Sequence, residues 1–153
     1  MSELIIHTAL ILSIALIITL AYGSFNIRSN MFIRTKSKSR TFPKGILITF
    51  DDGPDEFNTP LILDILNKRK VRALFFVTGK KIMKNPEIIK RMNSEGHVLG
   101  NHTYSHSNFF PFYSSTNIVA ELEKTRSLIA ETTGVETKFF RPPFGVTNTG
   151  IAS

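Results

Sequence analysis

Apolar residues along the chain fall into two regimes. Residues 4–22, LIIHTALILSIALIITLAY, are apolar throughout apart from His7 and a few hydroxyls and carry no charge. As a helix, a stretch of roughly 20 residues rises about 30 Å, the thickness of a bilayer's hydrocarbon core. No polar stripe interrupts it, as one would in a helix packed on a soluble core. The pattern predicts a transmembrane anchor over residues 1–23, followed by a linker over 24–43. A signal sequence is the competing reading, and it is weakened because Met1-Ser2-Glu3 supplies no positive n-region and no small-x-small cleavage site follows.

From residue 44 onward the pattern alternates. ILITF (46–50) predicts a buried strand, and Thr59–Lys70 a helix with Pro60 in its first turn and Leu61, Ile62, Ile65 and Leu66 on one face. ALFFV (73–77) predicts a second strand. A helix follows from the Asn85-Pro86-Glu87 start to the stop at Gly96. HVLGN (97–101) is a third strand, 117–134 an amphipathic helix ended by Gly134, and KFFR (138–141) a fourth strand. Strands alternating with helices over short connections imply parallel strands in an α/β domain spanning 44–153, as an open sheet or a barrel. The phenylalanines at 75, 76, 139 and 140 fall within strand runs and are expected in the core.

Composition changes this picture in two places. The 153 residues carry a formal net charge of +7 and no cysteine, which excludes a disulfide-stapled fold. Much of the charge sits in a collar of Arg28, Arg34, Lys36, Lys38 and Arg40 just after the apolar segment, and in Lys68, Arg69, Lys70 and Arg72 at a helix end. Beside a membrane span, such a collar meets anionic lipid headgroups rather than nucleic acid. By the positive-inside rule, the collar opposite Glu3 argues for a cytoplasmic domain, although long domains translocate despite flanking charge.

In α/β folds of this kind, reactive groups gather at the carboxyl ends of strands. Asp51 and Asp52 follow the first strand, His102 and His106 the third, and Arg141 the fourth. Two imidazoles four residues apart with one carboxylate supply three ligands for a divalent transition metal, leaving positions for water and substrate. Such an ion activates water and polarises a carbonyl, and the second carboxylate is then available as a base. Each piece alone has a plainer reading. Asp-Asp-Gly-Pro is usually a turn, and an isolated H-x-x-x-H is weak evidence for a metal. Their convergence on successive strand ends is what favours a metal site.

TFDDGP (49–54), HTYSH (102–106) and RPPFG (141–145) resemble, in order and spacing, the first three motifs of the NodB-homology polysaccharide deacetylases, the carbohydrate esterase family four group. The resemblance covers residues 44–148. It implies a distorted (β/α) barrel, here incomplete, that hydrolyses N-acetyl or O-acetyl groups on chitin-like, peptidoglycan or xylan polymers. It implies Asp51 as catalytic base, and Asp52, His102 and His106 as metal ligands, commonly for zinc with cobalt or other divalent ions accepted. Arg141 matches the arginine that orients and tunes the base, and Phe144 the aromatic whose backbone N–H holds the oxyanion. By family analogy the domain is extracytoplasmic, on a single-pass membrane protein, against the charge argument above.

The family continues with a fourth motif and a fifth that carries the histidine acid, whereas this chain ends at VTNTGIAS and contains no Trp. A fragment is therefore expected. A non-catalytic remnant that binds metal or carbohydrate is the alternative, and a metal-dependent esterase on small esters is a third reading. His7 and His97 are poor substitutes for the acid, His97 because it begins the strand whose other end meets the site. Asn101 is expected to orient His102. The aromatics of NFFPFY (108–113) form either a sugar-stacking platform or packing beneath the loop.

Overall fold

A computed structural model describes residues 2–35 and 45–152. Lys36, Lys38 and Arg40 of the basic collar, and the boundary set at 43/44, lie outside the described residues, while Arg28 and Arg34 are exposed. The apolar segment forms one continuous helix, α1 (Ser2–Phe25), buried only at Gly23. Its most apolar window has a mean hydropathy of 2.6, so by length and composition it is able to cross a membrane. Secretory leaders share both properties.

Strands β1 (Thr49–Gly53), β2 (Leu74–Val77) and β3 (Val98–Asn101) form a parallel sheet in the order β1-β2-β3. A lone parallel bridge from Asn101 to Phe140 extends it by one position. Neighbours in sequence are thus neighbours in space, without the order reversal that marks a doubly wound sheet. Helices α2 (Asn58–Arg69), α3 (Gly79–Lys84) and α4 (Pro86–Ser94) fall between the strands. Helix α5 (Ser115–Thr133) and the short α6 (Thr149–Ala152) follow β3.

Two strands depart from expectation. β1 lies three residues later than ILITF predicts, because β2 offers a partner only from Leu74, whose N–H donates to Ile48 O at 3.0 Å. Ile46 and Leu47 precede that first rung and are exposed. Asp51 and Asp52 therefore lie inside β1 rather than after it. The fourth strand is reduced to the bridge at Phe140, so Phe139 is exposed instead of buried in the core.

The helices pack on one face of the sheet. Leu63 and Leu66 of α2, Ile82 of α3, Ile89 and Met92 of α4 and Ile129 of α5 close over Phe75, Val77 and Leu99. Full burial of side chains of this size is worth about 1.5–3 kcal/mol each. The buried face of α2 runs through Thr59, Leu63 and Leu66, whereas Leu61 and Ile65, expected inward, are exposed. Asp55 is the residue that satisfies the start of α2: its Oδ1 accepts from the N–H groups of Phe57 (3.1 Å) and Asn58 (2.6 Å). At α4, Asn85 holds the N-cap position but makes no capping bond with its side chain. Helix α3 was not expected at all, since six residues reading GKKIMK give too short a periodicity to register. Gly134 stops α5 in the left-handed conformation, at φ 72°, as expected.

Phe76 points to the opposite face, and a glycine is required beside it. A Cβ at Gly100 would lie 2.5 Å from Phe76 Cδ1. That inner face supports the site.

Candidate metal centre

Adjacent residues of a regular strand point to opposite faces, so Asp51 and Asp52 need a local irregularity to serve one rim. β1 provides it. Phe50 pairs with Phe75 and Gly53 with Val77, three steps on β1 against two on β2, a bulge that coincides with Asp52 at φ 67°. The bulge turns the two carboxylates toward different partners on the same rim.

Asp52 faces the histidines. Its Oδ1 lies 3.3 Å from His102 Nε2 and 3.0 Å from His106 Nε2, and the three donor atoms all fall within 4.8 Å of one another. His102 leaves the end of β3, its N–H donating to Val77 O at 3.0 Å. Its Nδ1 lies 2.7 Å from Arg141 O, and since a carbonyl only accepts, Nδ1 carries the proton. Nε2 of the neutral ring therefore presents a lone pair to a carboxylate oxygen. That contact is repulsive unless a cation or a proton lies between, so the donor set fits a divalent ion. Burial is the main influence holding His102 below its usual pKa, opposed by the bond to Arg141 O.

His106 is brought round by a tight loop. Thr103 and His106 both take left-handed conformations, φ 65° and 51°. The fully buried Thr103 accepts the His106 N–H on Oγ1 at 3.1 Å. Glu121 on α5 accepts three donors through Oε2: Tyr104 N at 3.0 Å, Ser105 N at 2.8 Å and Ser105 Oγ at 3.0 Å. Sequence reasoning missed Glu121, Thr103 and Lys81, whose Nζ donates to Asp52 O at 2.6 Å. Thr103 stands inside HTYSH, but nothing in that motif marks it as the acceptor that holds His106. Lys81 and Glu121 lie outside every motif, and Glu121 is 16 and 17 residues from the loop residues it holds.

Asp51 faces Arg141. One guanidinium nitrogen, Nη1, donates to Asp51 Oδ1 at 2.7 Å and Oδ2 at 3.0 Å, and to Thr49 Oγ1 at 3.1 Å. The Arg141 guanidinium carbon stacks 4.2 Å over the Phe76 ring centroid. Phe144, at φ 59°, sets its exposed ring edge-on to His106 at 5.0 Å. Asp51, Asp52, His102, His106, Arg141 and Phe144 share one open cleft of about 420 Å³. All six residues singled out from the sequence thus stand together.

Two other expectations are revised. Asn101 does not touch His102; its Oδ1 accepts from Thr103 N at 2.9 Å and its Nδ2 donates to Leu122 O at 2.8 Å, so it shapes the loop while Arg141 O orients the ring. In the aromatic loop Phe110 is buried against Tyr113 and Phe140, while Phe109 and Phe112 are exposed. His97, at the far end of β3, accepts the Ala73 N–H on Nδ1 at 3.2 Å and is structural, as expected.

Comparison with known proteins places this geometry in a family. The sequence profile described as polysaccharide deacetylase matches residues 38–153. The chain is 44% identical over 100 residues, 65% of its length and 36% of the relative's, to a peptidoglycan-N-acetylglucosamine deacetylase of Bacillus cereus. It is 38% identical over 107 residues, 69% of its length and 40% of the relative's, to the peptidoglycan-N-acetylmuramic acid deacetylase PdaA of Bacillus subtilis. Among solved structures, a family 4 acetyl xylan esterase of Clostridium thermocellum in complex with a cobalt ion superposes with a TM-score of 0.66 at 38% identity, covering 69% of this chain and 51% of that one. The chain spans less than half the length of the two curated relatives.

Proposed function

Because the chain belongs to the polysaccharide deacetylase family, we propose that its rim hydrolyses acetyl groups, foremost N-acetyl groups, on a polysaccharide such as chitin oligomers or peptidoglycan. The observation that carries this reading is the division of labour between adjacent aspartates, Asp52 toward two imidazoles and Asp51 toward Arg141. Asp52, His102 and His106 would hold a divalent ion, zinc or cobalt. When bound, that ion supplies Lewis-acid activation of water and of the acetyl carbonyl.

The remaining work falls to the chain's own side chains. Asp51 takes the proton from the attacking water, its carboxylate held in one orientation by Arg141 Nη1 on both oxygens. The Phe144 N–H, in a turn set by a left-handed residue, donates to the oxyanion. Arg141 couples the two halves of the rim, because its guanidinium holds Asp51 while its carbonyl fixes the His102 tautomer. As the C–N bond breaks, solvent supplies the proton that the departing nitrogen takes up, and the products are acetate and a free amine.

In the same reading β1-β2-β3 is part of the wall of a distorted barrel, and α1 anchors the domain to a membrane as a single pass, with the rim on the extracytoplasmic side. Sequential parallel order supports the barrel wall, and the uninterrupted apolar helix supports the anchor.

Acetate release from N-acetylated chitooligosaccharide by the full chain in detergent, with zinc or cobalt added, tests the proposal. Release is expected to need the metal and to fall at least about 100-fold in Asp51→Asn, the scale of a lost general base. A rate unchanged in Asp51→Asn would overturn the assignment of the base. No release at all, with metal binding that His102→Ala abolishes, would instead establish the non-catalytic remnant.

A further inference from the structure

A second depression adjoins the cleft on its Asp52 and His106 side. Its volume is about 650 Å³, and its charged walls besides those two residues are Lys80, Lys81 and Lys84, with Tyr104 also lining it. The lysines are placed by backbone. Gly79 N–H donates to Thr103 O and Lys80 N–H to Tyr104 O, each at 3.0 Å, which ties the start of α3 to the histidine loop. Lys81 is committed to Asp52 O. The ammonium groups of Lys80 and Lys84 enter no ion pair among the described residues. A further cation, Lys124 Nζ, sits 3.7 Å from the Tyr104 ring centroid. The nearby Glu121 carboxylate is already taken up by the loop N–H groups. The basin is therefore a cationic recess sharing a wall with the reaction centre.

We propose that this recess is a subsite for a carboxylate-bearing sugar next to the sugar that is deacetylated, so that the protein selects an acidic glycan over a neutral one. The proposal rests on the deacetylase reading for its orientation along the polymer. Two exposed ammonium groups facing one carboxylate give a preference of about three- to tenfold, one that weakens as salt is raised.

The test measures affinity and acetate release separately, on the zinc-loaded full chain in detergent. The probes are a tetrasaccharide of alternating N-acetylglucosamine and N-acetylmuramic acid with free carboxylates, its methyl ester, and a phosphorylated chitotetraose. The free acid is expected to bind three- to tenfold more tightly than its ester. That ratio should approach one at 0.5 M salt and in the variant K80Q/K84Q. Equal affinities in the unaltered protein, absence of binding, a ratio that survives in K80Q/K84Q, or a stronger preference for the phosphorylated glycan would each overturn the proposal. Acetate release without a preference overturns the subsite alone, whereas a preference without release overturns the deacetylase reading and leaves the subsite standing.

Discussion

His97 and His102 flank the same four-residue strand, and both are almost fully buried. Burial is the leading influence on both rings and holds each below its usual pKa. Their hydrogen bonds nevertheless run in opposite senses. His97 Nδ1 accepts the Ala73 N–H, so its proton sits on Nε2, in a pocket closed by the Phe75 ring at 5.3 Å and by Glu95. His102 Nδ1 donates to Arg141 O, so its Nε2 lone pair faces Asp52 and the cleft. One backbone group per ring decides whether an imidazole is a structural plug or an available ligand. Loop geometry reinforces the difference. Left-handed residues at Asp52, Thr103, His106 and Phe144 crowd the His102 end, a concentration of strain typical of functional sites.

Replacing each histidine in turn should give the largest effect. His102→Ala is expected to weaken zinc binding at least about 100-fold and to abolish the rise in Tm that zinc produces, a rise of about 2.7 kcal/mol in stability at a hundredfold excess over Kd. His97→Ala should leave zinc affinity within about threefold while lowering Tm, because it removes a buried acceptor and leaves the Ala73 N–H unpaired. Calorimetric titration beside thermal melts separates the two. Equal losses of zinc affinity in both variants would dissolve the distinction.

Glu121 sharpens the comparison at an intermediate scale, since it holds only the His102 end. With its three donors released, the Tyr104–Ser105 segment loses its anchor and His106 its fixed approach. Glu121→Ala should reduce zinc affinity about 10- to 100-fold, and Glu121→Gln, which retains an acceptor oxygen, should recover part of it. A merely structural role would lower Tm in Glu121→Ala without changing zinc affinity measured well below that Tm.

The parts legible in the sequence were those with local causes. β2, β3, α4 and α5 appear within a few residues of where apolar periodicity and the Gly134 stop place them. The clustering of the six rim residues was legible because each stands in a short motif, although Asp51 and Asp52 fall inside β1 and the fourth strand is only a bridge. What escaped depends on partners distant in sequence. The displacement of β1 follows from where β2 begins, and the inward face of α2 from which side the sheet occupies. The bulge at Asp52 carries no signature beyond the Asp-Asp pair itself. Glu121 and Lys81 act through contacts 16 to 29 residues away, which no periodicity records. Asn101 shows the opposite failure: adjacency suggested that it orients His102, whereas its side chain is taken up by Thr103 N and Leu122 O.

The smallest expected effect is the dependence of stability on pH that His97 contributes. Its pKa in the folded protein lies below the ordinary 6.5, because burial disfavours the imidazolium more than Glu95 favours it. Below pH 6.5 the unfolded chain therefore binds a proton that the folded chain refuses, and unfolding gains free energy as pH falls. The contribution is fully present above pH 6.5 and is lost on acidification toward the folded-state pKa, at no more than about 1.4 kcal/mol per pH unit, the ceiling for one proton. Zinc saturation gives His102 the same contribution to this slope in the unaltered protein and in a His97 variant, so the difference between them isolates His97. Under that condition His97→Asn, which offers the Ala73 N–H an acceptor but does not titrate, should flatten the fall in Tm between pH 6.5 and 5. A fall of unchanged steepness in the variant would assign the acid sensitivity elsewhere and remove the protonation argument for His97, leaving its hydrogen bond as its contribution to the fold.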